Sequence, residues 1–167
     1  MLGGRDGRFV VTTANWGRGW RVTMVHLGGK TNADLLFYNA TSGAWQAAFN
    51  DGAGHFAMRT GTWAPGLEIH ATDLDGDGRD DVFGYNPADG HWMTALASGQ
   101  FAVSGGGWWT GGWSVATGDV NGDGRGDVVL YDPVTGMWFE CLTIGPGVFA
   151  FNAGSSLAGA SFVGGPR

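Results

Sequence analysis

The chain has 167 residues, a net charge of −6, 33 glycines, nine tryptophans and a single cysteine. Glycine at roughly one residue in five, against a usual one in fourteen or so, predicts many tight turns, and the tryptophans predict many aromatic anchors. One cysteine excludes an internal disulfide framework, the absence of any long apolar run excludes a membrane-spanning helix, and no basic patch remains for nucleic acid.

Taken in order, the chain shows no signal peptide and begins with a lone strand signal at 8–13, so it reads as starting partway through a repeat. Three units follow, at 20–66, 67–112 and 113–156, with a period of about 46 residues. Many residues set the register: Asp34, Asp81 and Asp127; Tyr38, Tyr85 and Tyr131; Trp45, Trp92 and Trp138; Phe9, Phe56, Phe101 and Phe149. A further series, Trp16, Trp63 and Trp109, precedes Trp20, Leu67 and Trp113.

Each unit predicts four strands. The first covers 20–26, 67–72 and 113–118, and the second covers 35–39, 82–86 and 128–132. The turns N-A-T-S-G, N-P-A-D-G and D-P-V-T-G are strong hairpin signals leading into the third strand at 45–49, 92–96 and 138–142. The fourth begins near Phe56, Phe101 and Phe149, and a partial first strand at 157–163 ends the chain. No segment offers helical spacing over three turns, so the class is all-β. Four antiparallel strands per repeat match a β-propeller blade, with the recurring aromatics packing between blades. Closed propellers use four to eight blades, so three predict closure with copies of the chain or with the rest of a longer one.

Two stretches carry the chemistry: D-L-D-G-D-G-R-D-D from Asp73 to Asp81, and D-V-N-G-D-G-R-G-D from Asp119 to Asp127. Acids or an amide at positions 1, 3 and 5 and an Asp at 9 surround one point with oxygens, which suits a hard cation, calcium first. The expected ligands are Asp73, Asp75, Asp77 and Asp81, then Asp119, Asn121, Asp123 and Asp127, with the carbonyls of Arg79 and Arg125 at the seventh position. Position 12 is Gly84 or Leu130 instead of the closing Glu of a helix-loop-helix site, and β-branched runs follow, so these loops lead into strands. Two bound divalent cations would neutralise most of the chain's negative charge. In the first unit the equivalent positions are His26, Gly28 and Lys30, and at the C-terminus Val163, Gly165 and Arg167; neither set is expected to hold a cation.

These residues resemble the FG-GAP and VCBS repeats of integrin-alpha-like β-propellers, whose blades carry D-x-D/N-x-D-G-x-x-D loops between strands. The resemblance implies a calcium-stabilised propeller, extracellular or at the cell surface, used more often for binding or structure than for catalysis. Two binding readings follow. In one, the chain is an adhesion scaffold whose partner is another extracellular protein. In the other it is lectin-like, with Trp16, Trp20, Trp63, Trp109 and Trp113 lining sites for a glycan at the blade junctions, since aromatic faces stack on sugars. A propeller-type lyase or dehydratase is the enzymatic alternative, but the sequence holds no nucleophile elbow, zinc cluster or phosphate-binding loop. Cys141 falls where the repeats place Ala48 and Ala95 and predicts a small buried residue. His70 predicts a satisfied or solvent-facing strand histidine, because its repeat partners Thr23 and Ala116 share no chemistry with it.

Overall fold

The computed structural model describes residues 2–3, 9–10, 17–29 and 31–155, with side chains described for 17–29 and 31–155. Trp16, Lys30, most of the predicted strand at 8–13, the strand at 157–163 and the C-terminal Val163, Gly165 and Arg167 lie outside the described residues. Within 8–13, Phe9–Val10 (β2) is a strand, paired antiparallel with Leu2–Gly3 (β1).

The rest is three four-stranded antiparallel meanders in chain order, with no helix among the described residues. Blade one is Trp20–Val25 (β3), Asp34–Asn39 (β4), Ala44–Asn50 (β5) and Phe56–Thr62 (β6). Blade two is Glu68–Thr72 (β7), Asp81–Tyr85 (β8), His91–Ala95 (β9) and Val103–Trp108 (β10). Blade three is Ser114–Gly118 (β11), Asp127–Tyr131 (β12), Met137–Gly145 (β13) and Val148–Ser155 (β14). The turns between second and third strands close as their sequences predict. Asn39, Asn86 and Asp132 each accept a backbone N–H two residues on, and Gly43, Gly90 and Gly136 bond back to their carbonyls. Gly43 and Gly90 have φ of 74° and 77°, and a Cβ at either would collide with the carbonyl oxygen of Trp63 or Trp109, so glycine is required twice over.

The core lies between blades. Alternation along β8 sends Val82 towards blade one and Phe83 and Tyr85 towards blade three, and all five residues of the strand are buried. At the first junction Trp45 stacks on Trp63 at 5.0 Å, with the edge of Phe101 at 5.5 Å. The second junction repeats this with Trp92 on Trp109 at 4.9 Å and Phe149 at 5.5 Å. Cys141 is fully buried at the second junction, and burial pushes its thiol up to about 12.

Phe101 departs from expectation. The fourth strand of blade two starts at Val103, and Phe101 sits before it in a tight turn at φ 63°, its N–H bonded to the Leu96 carbonyl at 2.9 Å. The backbone accepts a left-handed residue there because the turn swings the ring into the junction, where it is 2 % exposed.

A tyrosine in each of the first two blades ties down the crossing to the next. The Tyr38 hydroxyl donates to the Ala64 carbonyl at 2.6 Å and accepts from Leu67 N–H at 3.2 Å; Tyr85 does the same with Thr110 and Trp113. Tyr38→Phe strands both partners at a buried site and is expected to cost about 2 kcal/mol in a urea melt. An unshifted midpoint would mean that water replaces the hydroxyl.

Candidate functional site: two acidic loops and an aromatic cup

Each acidic loop winds around its own first carboxylate. Asp73 accepts the N–H groups of Gly76, Asp77 and Gly78 at 2.8, 3.0 and 2.7 Å, and Gly76 and Gly78 take φ of 79° and 84° to allow it. Asp119 accepts Gly122, Asp123 and Gly124 in the same way. In the first loop the structure brings together Asp73, Asp75 and Asp81, whose oxygens lie within 4.8 Å of one another. Asp77 stands outside that group: one of its oxygens accepts from Arg79 N–H, and the other lies 3.9 Å from Arg79 Nε. In the second loop Asn121 donates to Asp123 at 3.1 Å, and among the described residues no second trio of acids gathers as closely. Arg125 is half-buried, with its stem over Gly76.

Asp81 is fully buried, and its carboxyl is pushed up to about 7. Burial is the main cause and the charges of Asp75 and Asp77 add to it, against two hydrogen bonds from Ala97 and Leu74. Oxygen-only donors gathered around one point, as Asp73, Asp75 and Asp81 are, fit a hard divalent cation.

The closing aspartate has a second role that the motif conceals. Asp81 accepts Leu74 N–H at 2.9 Å from the loop and Ala97 N–H at 2.8 Å from beyond the third strand. Asp127 accepts Val120 and Thr143 at 3.0 and 2.8 Å. Asp34 accepts Gly28 and Asn50 at 2.8 and 2.7 Å in the blade whose loop lacks the other acids. The residue is therefore a brace in every blade.

The tryptophan series divides at the junctions. Trp63 is 7 % exposed, stacked in the core with its indole N–H on the Phe101 carbonyl, so the expectation that it lines a ligand site is corrected. Leu67 and Met93, both buried, fill that junction. At the second junction their equivalents are the aromatics Trp113 and Phe139, set edge to face at 87° and 5.4 Å. With Trp109, Thr110, Leu130 and Phe151 they leave an open cup of about 320 Å³. Phe139 and Phe151 were not singled out by the repeat; strand alternation places them on the face that Leu130 shares. Trp20 is half-buried at the start of β3.

Residues 73–130, a span that holds both acidic loops, match the FG-GAP-like repeat family. This part of the chain is similar to an FG-GAP-like repeat. Among solved structures, the chain is similar to a lectin from Agrocybe aegerita described for its specific recognition of non-reducing terminal N-acetylglucosamine. The TM-score is 0.61 at 20 % identity, over 81 % of this chain and 38 % of that one, a likeness that speaks to the fold. The chain thus spans well under half the length of that lectin. No curated protein matches it. A stretch similar to an FG-GAP-like repeat, set in an all-β frame of four-stranded antiparallel sheets, makes the architecture a β-propeller. No helix among the described residues is long and apolar enough to cross a membrane.

Proposed function

We propose that the chain is a non-catalytic, extracellular β-propeller module that holds calcium in its two acidic loops and binds a neutral carbohydrate in the cup at the second blade junction. The cup carries this reading. Four aromatic side chains, Trp109, Trp113, Phe139 and Phe151, surround a hollow of sugar size with one hydroxyl, Thr110, and no charged group in its lining. Flat π faces favour the C–H surface of a pyranose, while an acidic sugar would find no counter-charge there. The N-acetylglucosamine recognised by the Agrocybe lectin is the natural first ligand to try. Calcium fits a supporting part: extracellular modules bind it at roughly 0.1 to 1 mM, the range outside cells. Further blades, from copies of this chain or from a longer one, would complete the ring.

Displaying N-acetylglucosamine and a panel of neutral and acidic glycans multivalently tests the proposal. Wild type is expected to bind neutral sugars, and Trp113→Ala to lose about tenfold in affinity, equivalent to about 1.4 kcal/mol. Wild type that binds none of them, or a Trp113→Ala variant that binds as well, would remove the cup as a sugar site. The buried Trp63 favours a second reading, in which the junction tryptophans only pack blades and the partner is another extracellular protein. Retention of such a partner by Trp113→Ala would support that alternative.

A further inference from the structure

The two acidic loops are joined across the second blade junction. Gly126 N–H, just before the closing Asp127 of one loop, donates at 2.6 Å to the carbonyl of Asp73, which opens the other. The same bond recurs one junction earlier at equivalent positions, where Asp80 N–H donates to the His26 carbonyl at 3.0 Å. There the Asp80 side chain adds a second link, accepting His26 N–H at 2.6 Å. At the later junction the packing is close. A Cβ on Gly126 would collide with Thr72, and one on Gly76 would meet Arg125 Cγ at 3.5 Å.

We infer that the two loops bind calcium as a coupled pair, each filled loop raising the affinity of the other. This rests on the calcium reading proposed above. A cation in the first loop draws in the Asp73 carboxylate and fixes the Asp73 peptide. The carbonyl from which Gly126 hangs is fixed with it, and so is the approach of Asp127, the next residue. Ordering one loop therefore lowers the cost of ordering the second. A coupling free energy is reciprocal, so the second loop acts on the first by the same factor. One backbone hydrogen bond and one side-chain stem set a modest scale, about fivefold. The relay stops at the His26 loop, which lacks the acids and is held by the Asp80 side chain instead.

Calorimetric calcium titration of the full chain tests this with Asp75→Asn/Asp77→Asn, which disables the first loop, and Asp123→Asn, which disables the second. Tryptophan fluorescence verifies folding, and Asp75→Asn alone serves if the double variant is unfolded. Wild type is expected to take up two calcium ions. Each variant should keep one, bound about fivefold more weakly than the same loop in wild type, with matching factors in the two directions. Remaining loops that retain their wild-type affinity would overturn the coupling and leave the calcium reading standing. No uptake by wild type would overturn the calcium reading and the coupling with it.

Discussion

Asp34→Ala is expected to destabilise the protein by about 3 kcal/mol, even though its loop is the one expected to bind no cation. Asp34 is 2 % exposed, and its two oxygens hold Gly28 N–H and Asn50 N–H, clamping the turn after the first strand to the end of the third strand. Hydrogen bonds to a carboxylate contribute more than neutral ones, and alanine leaves both donors without an acceptor. For a chain of this length the loss corresponds to a melting temperature lower by about 10 °C. Calcium separates this brace from a ligand. The Asp34→Ala deficit should be the same in EDTA and in saturating calcium. The deficit of Asp127→Ala should grow in calcium, because wild type then gains stability from the ion, about 2.7 kcal/mol at a hundredfold excess over Kd. A variant melting within about 2 °C of wild type would show that water satisfies the two N–H groups. A deficit at Asp34 that grows in calcium would show a third cation site.

The blades could be read in the sequence because each was signalled several times over. Asx turns, a positive-φ glycine and a tryptophan at one offset all point to the same hairpin, and the structure places those hairpins where the repeats put them. What could not be read depends on packing across a junction. Trp63 and Trp109 occupy equivalent positions, yet one is core and the other lines a cup. The difference lies in their neighbours: Leu67 and Met93 close over the first, while Trp113 and Phe139 stand edge to face beside the second. The repeat predicts a strand beginning near Phe101, as one does at Phe56 and one beside Phe149, but burial of the Phe101 ring in a turn delays the strand to Val103. The brace at Asp34, Asp81 and Asp127 shows a third kind of limit. A carboxylate at position 9 reads as a ligand, and its backbone donors sixteen residues downstream leave no trace in side-chain identity.

His70 should make one contribution to the protein's stability acid-sensitive in a defined window. The histidine was expected to be satisfied or solvent-facing, but it sits on β7 beside Phe83, at 6.5 Å between ring centroids, with a buried Nε2 that has no hydrogen-bond partner among the described residues. Burial lowers its pKa to about 4 from an ordinary 6.5. Below pH 6.5 the unfolded chain takes up a proton that the folded one refuses, so stability is full above that value and is lost as the pH falls towards 4. Integrated over that window, the loss is about 3 kcal/mol at pH 4. Asp81 works in the opposite sense. Its carboxyl, pushed up to about 7, lets the calcium-free fold take up a proton before the unfolded chain does, so acidification between about 7 and 4 stabilises the folded state through that group. The two slopes offset each other in EDTA, and only a variant separates them. His70→Leu keeps an apolar group in place of the ring and removes the proton site. It should unfold near wild type at pH 7 and exceed wild type by about 3 kcal/mol at pH 4 in chemical denaturation. A difference between the two proteins that stays constant with pH would mean that the imidazole is protonated in place, and that the acid response belongs to the carboxylates alone.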